Sequence, residues 1–417
     1  MRELIVYLDH ALVGKLVEQS SIWGFEYNSS WLVQGFGVIP GLAFVNGQQF
    51  DGATTRPVQW FFDNLLPEEN ARTLLASSIN VEAGDAFALL KAIGHESAGA
   101  FTLLEPGAEL PEGMASQLTN AELNERILNL PKLPLNLAER KKMSLAGAQH
   151  KMLVIFKDGQ LFEPSGQMPS THILKPEHTD RDQYYFSTRN EWFVMSLARA
   201  CGLQVPDVHH IYLPSPAYIV KRFDRSGKYP DIQRLHVIDG CQLLGFSHTD
   251  KYRASTVQNL ANLGNACISS GPTRLAIFKW ALFNALVGNG DAHLKNLSFE
   301  LTERGFQLKP HYDLLSTTIY AQAGKHPSEE LSQRMGDAVH FGDLRQKHIF
   351  EFGVALGLQE TTISRYLAQM IKAIAPAADK LISDVEAEQI HPGKAGELQM
   401  LRKIRHLCID EMIRQLK

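Results

Sequence analysis

The chain has 417 residues, beyond the length at which one hydrophobic core usually stops growing, so two lobes or domains are expected. Hydrophobic residues make up 44% and charged residues 21%, a globular composition that excludes extensive disorder. A net charge of -4 and a pI near 6.5 exclude an overall positive field of the kind that drives non-specific nucleic-acid or membrane binding.

Leu4 to Leu8, the turn Asp9-His10 and Ala11 to Val17 read as strand, turn, strand, and Trp23 to Tyr27 offers a third strand. Residues 1 to about 50 are therefore expected to form a small antiparallel sheet. From Pro57 the apolar spacing becomes helical, through Trp60, Phe61, Leu65 and Leu66, then Ala71 to Leu75 and Ala86 to Ile93. Residues 105 to 140 carry several prolines and alternating charges, and read as a connection over the surface.

Beyond it, Leu153 to Phe156, the turn Lys157-Asp158-Gly159-Gln160 and Leu161-Phe162 form a hairpin signal, and His172 to Lys175 another strand. A helix is predicted from about Asn190 to Ala200 with Gly202 as its stop, followed by strands at Val208 to Leu213 and Ala217 to Val220. After Phe223 the chain turns largely helical. Thr273 to Val287 is the clearest helix, with Pro272 near its start and Gly288-Asn289-Gly290 ending it. The tail from 345 to 417 holds at least two amphipathic helices, one with Leu398, Leu401, Ile404, Cys408, Met412 and Leu416 along a stripe.

The four cysteines are scattered without a CxxC pair, which argues against a zinc site or a disulfide framework. The apolar run Leu4 to Leu8 is too short for a signal sequence, and no run approaches the ~18 residues of a membrane span. A cytoplasmic protein with no membrane partner is the expectation.

The chemistry concentrates in Gly288-Asn289-Gly290-Asp291-Ala292-His293-Leu294-Lys295-Asn296 and Pro310-His311-Tyr312-Asp313. Phosphoryl transfer needs a carboxylate to orient the attacking hydroxyl, and oxygen donors to hold Mg²⁺ against phosphates. Asp291 and Asn296 stand at D-x-x-x-x-N spacing, and Asp313 can serve as the second metal ligand. The alternative is that Asp291 and Asn296 merely cap turns beside glycines. His293 and His311 lack the spacing of metal-ligand pairs and read better as supporting or core histidines.

Ser144-Leu145-Ala146-Gly147-Ala148-Gln149-His150-Lys151 is a small-residue turn whose N–H groups could approach phosphate oxygens. Lys175, closing the next strand, could reach the α and β phosphates, although an isolated lysine is usually just solvated. Glu191 could pair with Lys175 or simply complement a helix dipole. The backbone of Lys221, Arg222 and Phe223 is where an adenine edge would be read; otherwise Lys221 to Arg225 is an ordinary charged linker.

Taken together, Ser-Leu-Ala-Gly-Ala-Gln-His-Lys, Ile-Leu-Lys-Pro, Val-Lys-Arg-Phe-Asp-Arg, Gly-Asp-Ala-His-Leu-Lys-Asn and Tyr-Asp-Leu-Leu resemble the HipA kinases. Phe61-Phe62-Asp63-Asn64-Leu65-Leu66-Pro67 and Ile93-Gly94-His95-Glu96-Ser97-Ala98-Gly99-Ala100 are similar to that family's first sub-domain. The resemblance implies an α+β, two-lobe protein-kinase-like fold. Its parts would be an N-terminal α+β sub-domain at 1–105, a connection at 106–140, a kinase small lobe at 141–223 and a mostly helical lobe at 224–417. ATP and Mg²⁺ would bind in the cleft.

The resemblance also implies a toxin of a toxin–antitoxin pair that phosphorylates a serine on a cellular protein such as glutamyl-tRNA synthetase. Asp291 is similar to the family's base, Asn296 and Asp313 to its metal ligands, Lys175 to its ATP lysine, and 146 to 151 to its phosphate loop. His293 and Tyr312 join the implied nucleotide site. Ser144 resembles the serine such kinases autophosphorylate, and a dianion there would repel ATP. The implied partner is a HipB-like helix-turn-helix antitoxin, with DNA reached only through it. The chain departs from the family in lacking a Ser-Leu-Pro type segment within 38 to 56, and Leu-Leu-Ser-Thr-Thr after Asp313 predicts no Phe-Gly switch. The rival readings are a small-molecule phosphotransferase, which can share the G-D-x-x-x-x-N loop, and a catalytically silent binding module.

Overall fold

The computed structural model describes residues 1–109, 111–130, 149–321 and 330–417. The chain forms two compact units, Met1–Thr179 with Ile211–Asp250 and Phe299–Phe306, and Asp180–His210 with Lys251–Ser298 and Gln307–Lys417. The first unit thus runs on past residue 223, the end expected for a small lobe.

In the first unit, period-two alternation builds an antiparallel sheet from Arg2–Leu8, Ala11–Gln19 and Ile22–Tyr27, flanked by Gln48–Phe50 on one edge and Phe101–Leu104 on the other. Leu4, Val6, Leu16 and Phe25 are fully buried. The helix Pro57–Asp63 supplies an aromatic layer, with Phe62 stacked on Phe25 at 5.9 Å and Phe61 edge-on to Phe101 at 5.7 Å. The helices Glu69–Ser78 and Ala86–Ile93 follow as the apolar spacing predicts.

His236 is buried among these rings, 4.8 Å from Phe101, with Nε2 3.1 Å from the Val38 carbonyl oxygen. That oxygen can only accept, so the neutral imidazole carries its proton on Nε2. Burial lowers the imidazole pKa from 6.5 to about 4. Between those values the unfolded chain binds the proton and the folded chain does not. This part of the stability is therefore fully present above the unfolded pKa and is lost as pH falls, by up to ~1.4 kcal/mol per pH unit. Urea midpoints should drop between about pH 7 and about pH 5, and drop less in His236→Gln, whose amide can still donate to Val38.

A second sheet in the same unit has Pro216–Lys221, His172–Pro176, Met152–Lys157, Gln160–Ser165 and Met114–Leu118 as successive neighbours. The predicted hairpin turns at Asp158 and Gly159, both at positive φ (51° and 78°), as a tight two-residue connection requires. One face of the sheet buries Met152, Val154, Leu161, Leu174, Ala217 and Ile219.

The stretch from 105 to 140, expected as a surface connection, instead contributes two elements to this packing. Met114–Leu118 is the strand paired with Gln160–Ser165, and the helix Asn120–Leu128 buries Leu123 and Ile127 against the same core. A capping box starts that helix, with the Thr119 hydroxyl accepting from Glu122 N–H and the Glu122 carboxylate accepting from Thr119 N–H. Of the charges that suggest a loop, Glu122 and Glu125 are exposed, while Arg126 is bidentate to Glu163 of the adjacent strand at 3.0 Å.

The second unit is helical around Ser187–Ala200, Val257–Ala266, Ser270–Val287, Gln346–Ala355 and Glu360–Ala387. Gly202, at φ 81°, follows the first of these as its stop. The C-terminal stripe is interrupted: Lys394–Lys403 and Asp410–Leu416 are α-helical, but Ile404–Ile409 is a π-helical turn. The wider turn shifts the register, so that Ile409 and Ile413 are buried alongside Met412 while Leu407 is exposed.

Candidate active site

The long helix Ser270–Val287 ends at Gly288 in the left-handed conformation, φ 66°, and delivers the Asn289 to Asn296 loop. A side chain at 288 would collide with the Thr318 hydroxyl, so the turn requires glycine for both backbone and space. The Gly288 carbonyl accepts from Thr317 N–H at 2.9 Å and Thr318 N–H at 3.1 Å, and Gly290 N–H donates to Thr317 Oγ1 at 2.7 Å. On the opposite side, Ser332 Oγ donates to the Asn289 carbonyl and accepts from Ala292 N–H. The loop is thereby fastened at several consecutive residues, which suits a constellation that must hold its geometry.

Asp291 N–H donates to Asn289 Oδ1 at 3.0 Å, and Asn289 Nδ2 donates to Asn284 Oδ1 at 2.8 Å in the helix above. The Asp291 side chain is 44% exposed, so an acceptor hydroxyl can approach it from solvent. Its Oδ1 receives the Tyr252 hydroxyl and lies 3.8 Å from His293 Nε2. The His293 imidazole is mostly buried and edge-on to Tyr252, with centroids 4.9 Å apart.

Asn296 ends the short 3-10 turn Leu294–Asn296. Its Oδ1 accepts from His293 N–H at 3.0 Å, which fixes the amide orientation, and its Nδ2 donates to Asp313 Oδ2 at 3.2 Å. The two residues expected as metal ligands are therefore neighbours despite 17 intervening steps of chain. Asp313 adopts φ 59°, a conformation that costs a non-glycine residue energy and is kept where surrounding structure enforces it. That enforcement is visible just beyond: the Asn190 side chain donates to the Ser316 carbonyl at 2.8 Å and accepts from Ser316 N–H at 2.9 Å. Leu-Leu-Ser-Thr-Thr is thus pinned to two helices.

Tyr312 donates its hydroxyl to the Lys295 carbonyl at 2.5 Å, so Ser298 Oγ, 2.8 Å away, is the donor to Tyr312. This hydroxyl serves the loop, leaving the ring as the part of Tyr312 that a nucleotide could meet. His311 is fully enclosed, and burial lowers its pKa to about 4. Among the described residues no group of three or more His, Cys, Asp or Glu side chains is placed to hold a metal ion. The available donors are instead an amide and a carboxylate oxygen, hard ligands of the kind that bind Mg²⁺ together with phosphates and water.

The first unit carries the other expected residues. Lys175 sits in a central strand, and because Leu174 faces the apolar cluster, alternation turns Lys175 to the opposite face. It is only 7% exposed, with Nζ 5.9 Å from the centroid of Tyr218, its cross-strand partner. Gln149, His150 and Lys151 are half-buried just before the Met152–Lys157 strand. Burial, with a smaller effect from His178, lowers the His150 pKa. Ser144, Ala146, Gly147 and Ala148 lie outside the described residues.

Lys221 is exposed at the end of its strand, and Arg222 N–H donates to the Thr171 carbonyl at 2.9 Å. The segment after it is no solvated linker. The Arg222 guanidinium is fully enclosed, bidentate to Asp224 at 2.9 and 2.6 Å, with further bonds to Ser170 Oγ, the Ser97 carbonyl and Glu96. Arg225 reaches the same Glu96 oxygen at 2.9 Å, and Asp224 accepts from Gly99 N–H at 2.8 Å. Arg222 can therefore offer only its backbone to a ligand. Phe223 lies between these two arginines in the chain, at intermediate exposure.

Sequence reasoning misses Tyr252, Asn190, Thr317 and the carboxylate role of Glu96. Each reaches its partner across tens of residues, and only the Ile-Gly-His-Glu segment carries a signal, as part of a longer motif.

Residues 143–378 match the HipA-like C-terminal domain, and residues 4–104 match the HipA N-terminal domain. The chain is 32% identical to the Sinorhizobium fredii protein Y4mE, a kinase by name, over 96% of this chain and 99% of that one. It is 29% identical to the serine/threonine-protein kinase toxin HipA of Shewanella oneidensis, over 91% of this chain and 89% of the relative. In three dimensions it is similar to a chain in the solved complex of Shewanella oneidensis MR-1 HipA, HipB and operator DNA, with a TM-score of 0.81, 26% identity and 99% of both chains covered. No helix among the described residues is long and apolar enough to cross a membrane. With its N- and C-terminal domains both matched and its α+β fold in common, the chain belongs to the HipA family of kinases.

Proposed function

We propose that this chain is a Mg-ATP-dependent serine/threonine protein kinase that acts as the toxin of a toxin–antitoxin pair. The observation that carries the reading is the meeting of Asn296 with Asp313 at 3.2 Å beside a half-exposed Asp291, on a loop fastened along its length. Bound Mg-ATP would supply the phosphoryl group and the counter-charge it needs. Asp291 orients the acceptor hydroxyl and takes its proton as the new O–P bond forms and the bond to the departing ADP oxygen breaks. Asn296 and Asp313 are the residues that would hold the metal, which would offset phosphate charge there. Lys175 would answer phosphate charge, residues 146–151 are the proposed phosphate loop, and the Lys221–Phe223 backbone would read the adenine edge. His293 and Tyr312 line the nucleotide site.

The acceptor is a serine on a cellular protein, in the reading from the family a translation protein such as glutamyl-tRNA synthetase. Ser144 is the autophosphorylation site. A HipB-like helix-turn-helix antitoxin restrains the toxin and carries the DNA contact, supported by the HipA–HipB–operator complex to which the chain is similar. Intact mass after incubation with Mg-ATP tests this. One added phosphate, mapped to Ser144 and absent in Asp291→Asn, is expected. No mass gain, with no ATP binding by calorimetry, would overturn the kinase reading and leave a silent binding module. Transfer to small hydroxyl compounds but to no protein would favour a small-molecule phosphotransferase.

A further inference from the structure

We infer that Tyr252 is the positioning residue of the phosphotransfer step, holding the Asp291 carboxylate in the orientation from which it takes the acceptor proton. The inference rests on the reading of Asp291 as the base. Tyr252 lies outside the loop motif, 39 residues upstream, yet its hydroxyl donates to Asp291 Oδ1. The backbone is drawn in as well, with Leu294 N–H 3.4 Å from the Lys251 carbonyl.

An aspartate side chain has few bonds, but its carboxylate still rotates, and a half-exposed one has water on offer in several orientations. Asn289 fixes only the backbone of Asp291. The phenol fixes the carboxylate itself, with a rigid ring as lever and a charge-assisted hydrogen bond as the tie. The ring is located from two sides, edge-on to the His293 imidazole at 4.9 Å and 5.2 Å from Lys251 Nζ. Among the described residues, His293 and Lys251 are titratable groups that face the pair. The Glu330–Met335 strand meets this loop with uncharged Ser332 and Gln333. Tyr252 is itself 48% exposed, so it contributes little to the core and its placement is better explained by what it holds than by what it buries.

Tyr252→Phe isolates the role, because the ring remains against His293 and Lys251 while the hydroxyl is removed. The full chain would be assayed with Mg-ATP, reading ADP release and labelled phosphate on the chain and on added casein. The expected result is a kcat lowered about tenfold, the scale of one hydrogen bond to a charged group. KM for ATP and the melting temperature should remain as in the wild type. A kcat equal to or above the wild type, or a loss confined to KM for ATP, would overturn the inference. Asp291→Asn, run in parallel, separates the two readings. If it loses turnover while Tyr252→Phe does not, the base stands and the positioning role falls; if Asp291→Asn keeps turnover, the base itself is wrong.

Discussion

Replacing Asp291 with asparagine should lower phosphoryl transfer by about 10²- to 10⁴-fold, the contribution of a positioned general base, while leaving the fold and ATP affinity intact. The expectation of an intact fold comes from how Asp291 is held. Its backbone N–H bond to Asn289 survives the change, and an asparagine Oδ1 can still accept the Tyr252 hydroxyl. The side chain is 44% exposed, so no buried charge is created or removed, and surface changes of this kind stay within about 0.5 kcal/mol. What is lost is the capacity to take a proton at the acceptor oxygen. Initial rates of phosphate incorporation, with thermal melts and ATP calorimetry on the same preparations, check the three parts separately. A rate loss accompanied by a collapse in melting temperature would assign Asp291 to structure.

The second large effect is expected far from that loop. Glu96, Asp224, Arg222 and Arg225 form a buried set of two negative and two positive charges, with Glu96 fully inaccessible and side-chain exposures of 1% and 4% for the arginines. Burial pushes the Asp224 carboxyl upward, but Arg222 and Arg225, aided by hydrogen bonds from Arg222 and Gly99 N–H, more than offset it and hold it below the usual carboxylate range. Burial and the neighbouring Arg222 lower Arg225 to about 10. In Glu96→Ala one carboxylate would face two enclosed guanidiniums, and Ser170 would lose the acceptor of both its N–H and hydroxyl bonds.

Leaving a buried charge without its partner costs about 3–5 kcal/mol, so urea unfolding should show Glu96→Ala destabilised on that scale. A change under about 1 kcal/mol would mean that water reaches the cluster in solution. The network also ties the Arg222 end of the Pro216–Lys221 strand to the Glu96–Gly99 segment of the N-terminal sub-domain. Anything that loosens it should therefore reach the Lys221–Phe223 backbone.

Several elements are legible in the sequence because their signals are local. Pro272 near a start and Gly288 at a stop bracket the Ser270–Val287 helix, Asp158-Gly159 marks its hairpin, and Gly202 ends Ser187–Ala200. The Asn120–Leu128 helix escapes such a reading, although Thr119 and Glu122 stand at capping-box spacing, because prolines and charges on either side outweigh a short apolar pattern. The π-turn at Ile404–Ile409 has no sequence signal, since one register shift within a continuous stripe leaves the helical period nearly unchanged.

By itself, the sequence determined the chemistry on offer: a carboxylate, an amide and a second carboxylate at D-x-x-x-x-N spacing and beyond, a lysine on an apolar strand, and a family membership written along most of the chain. Those properties depend on residue type and short-range order, which the chain carries whether folded or not. Only the tertiary structure decided which groups support them. That Asn190 clamps Ser316, that Glu96 pairs with Arg222 and Arg225, and that Tyr252 reaches Asp291 are contacts between residues 39 to 129 positions apart. Such pairs leave no period or spacing to read, because their geometry is set by the packing of whole elements and exists only once the backbone has closed around them.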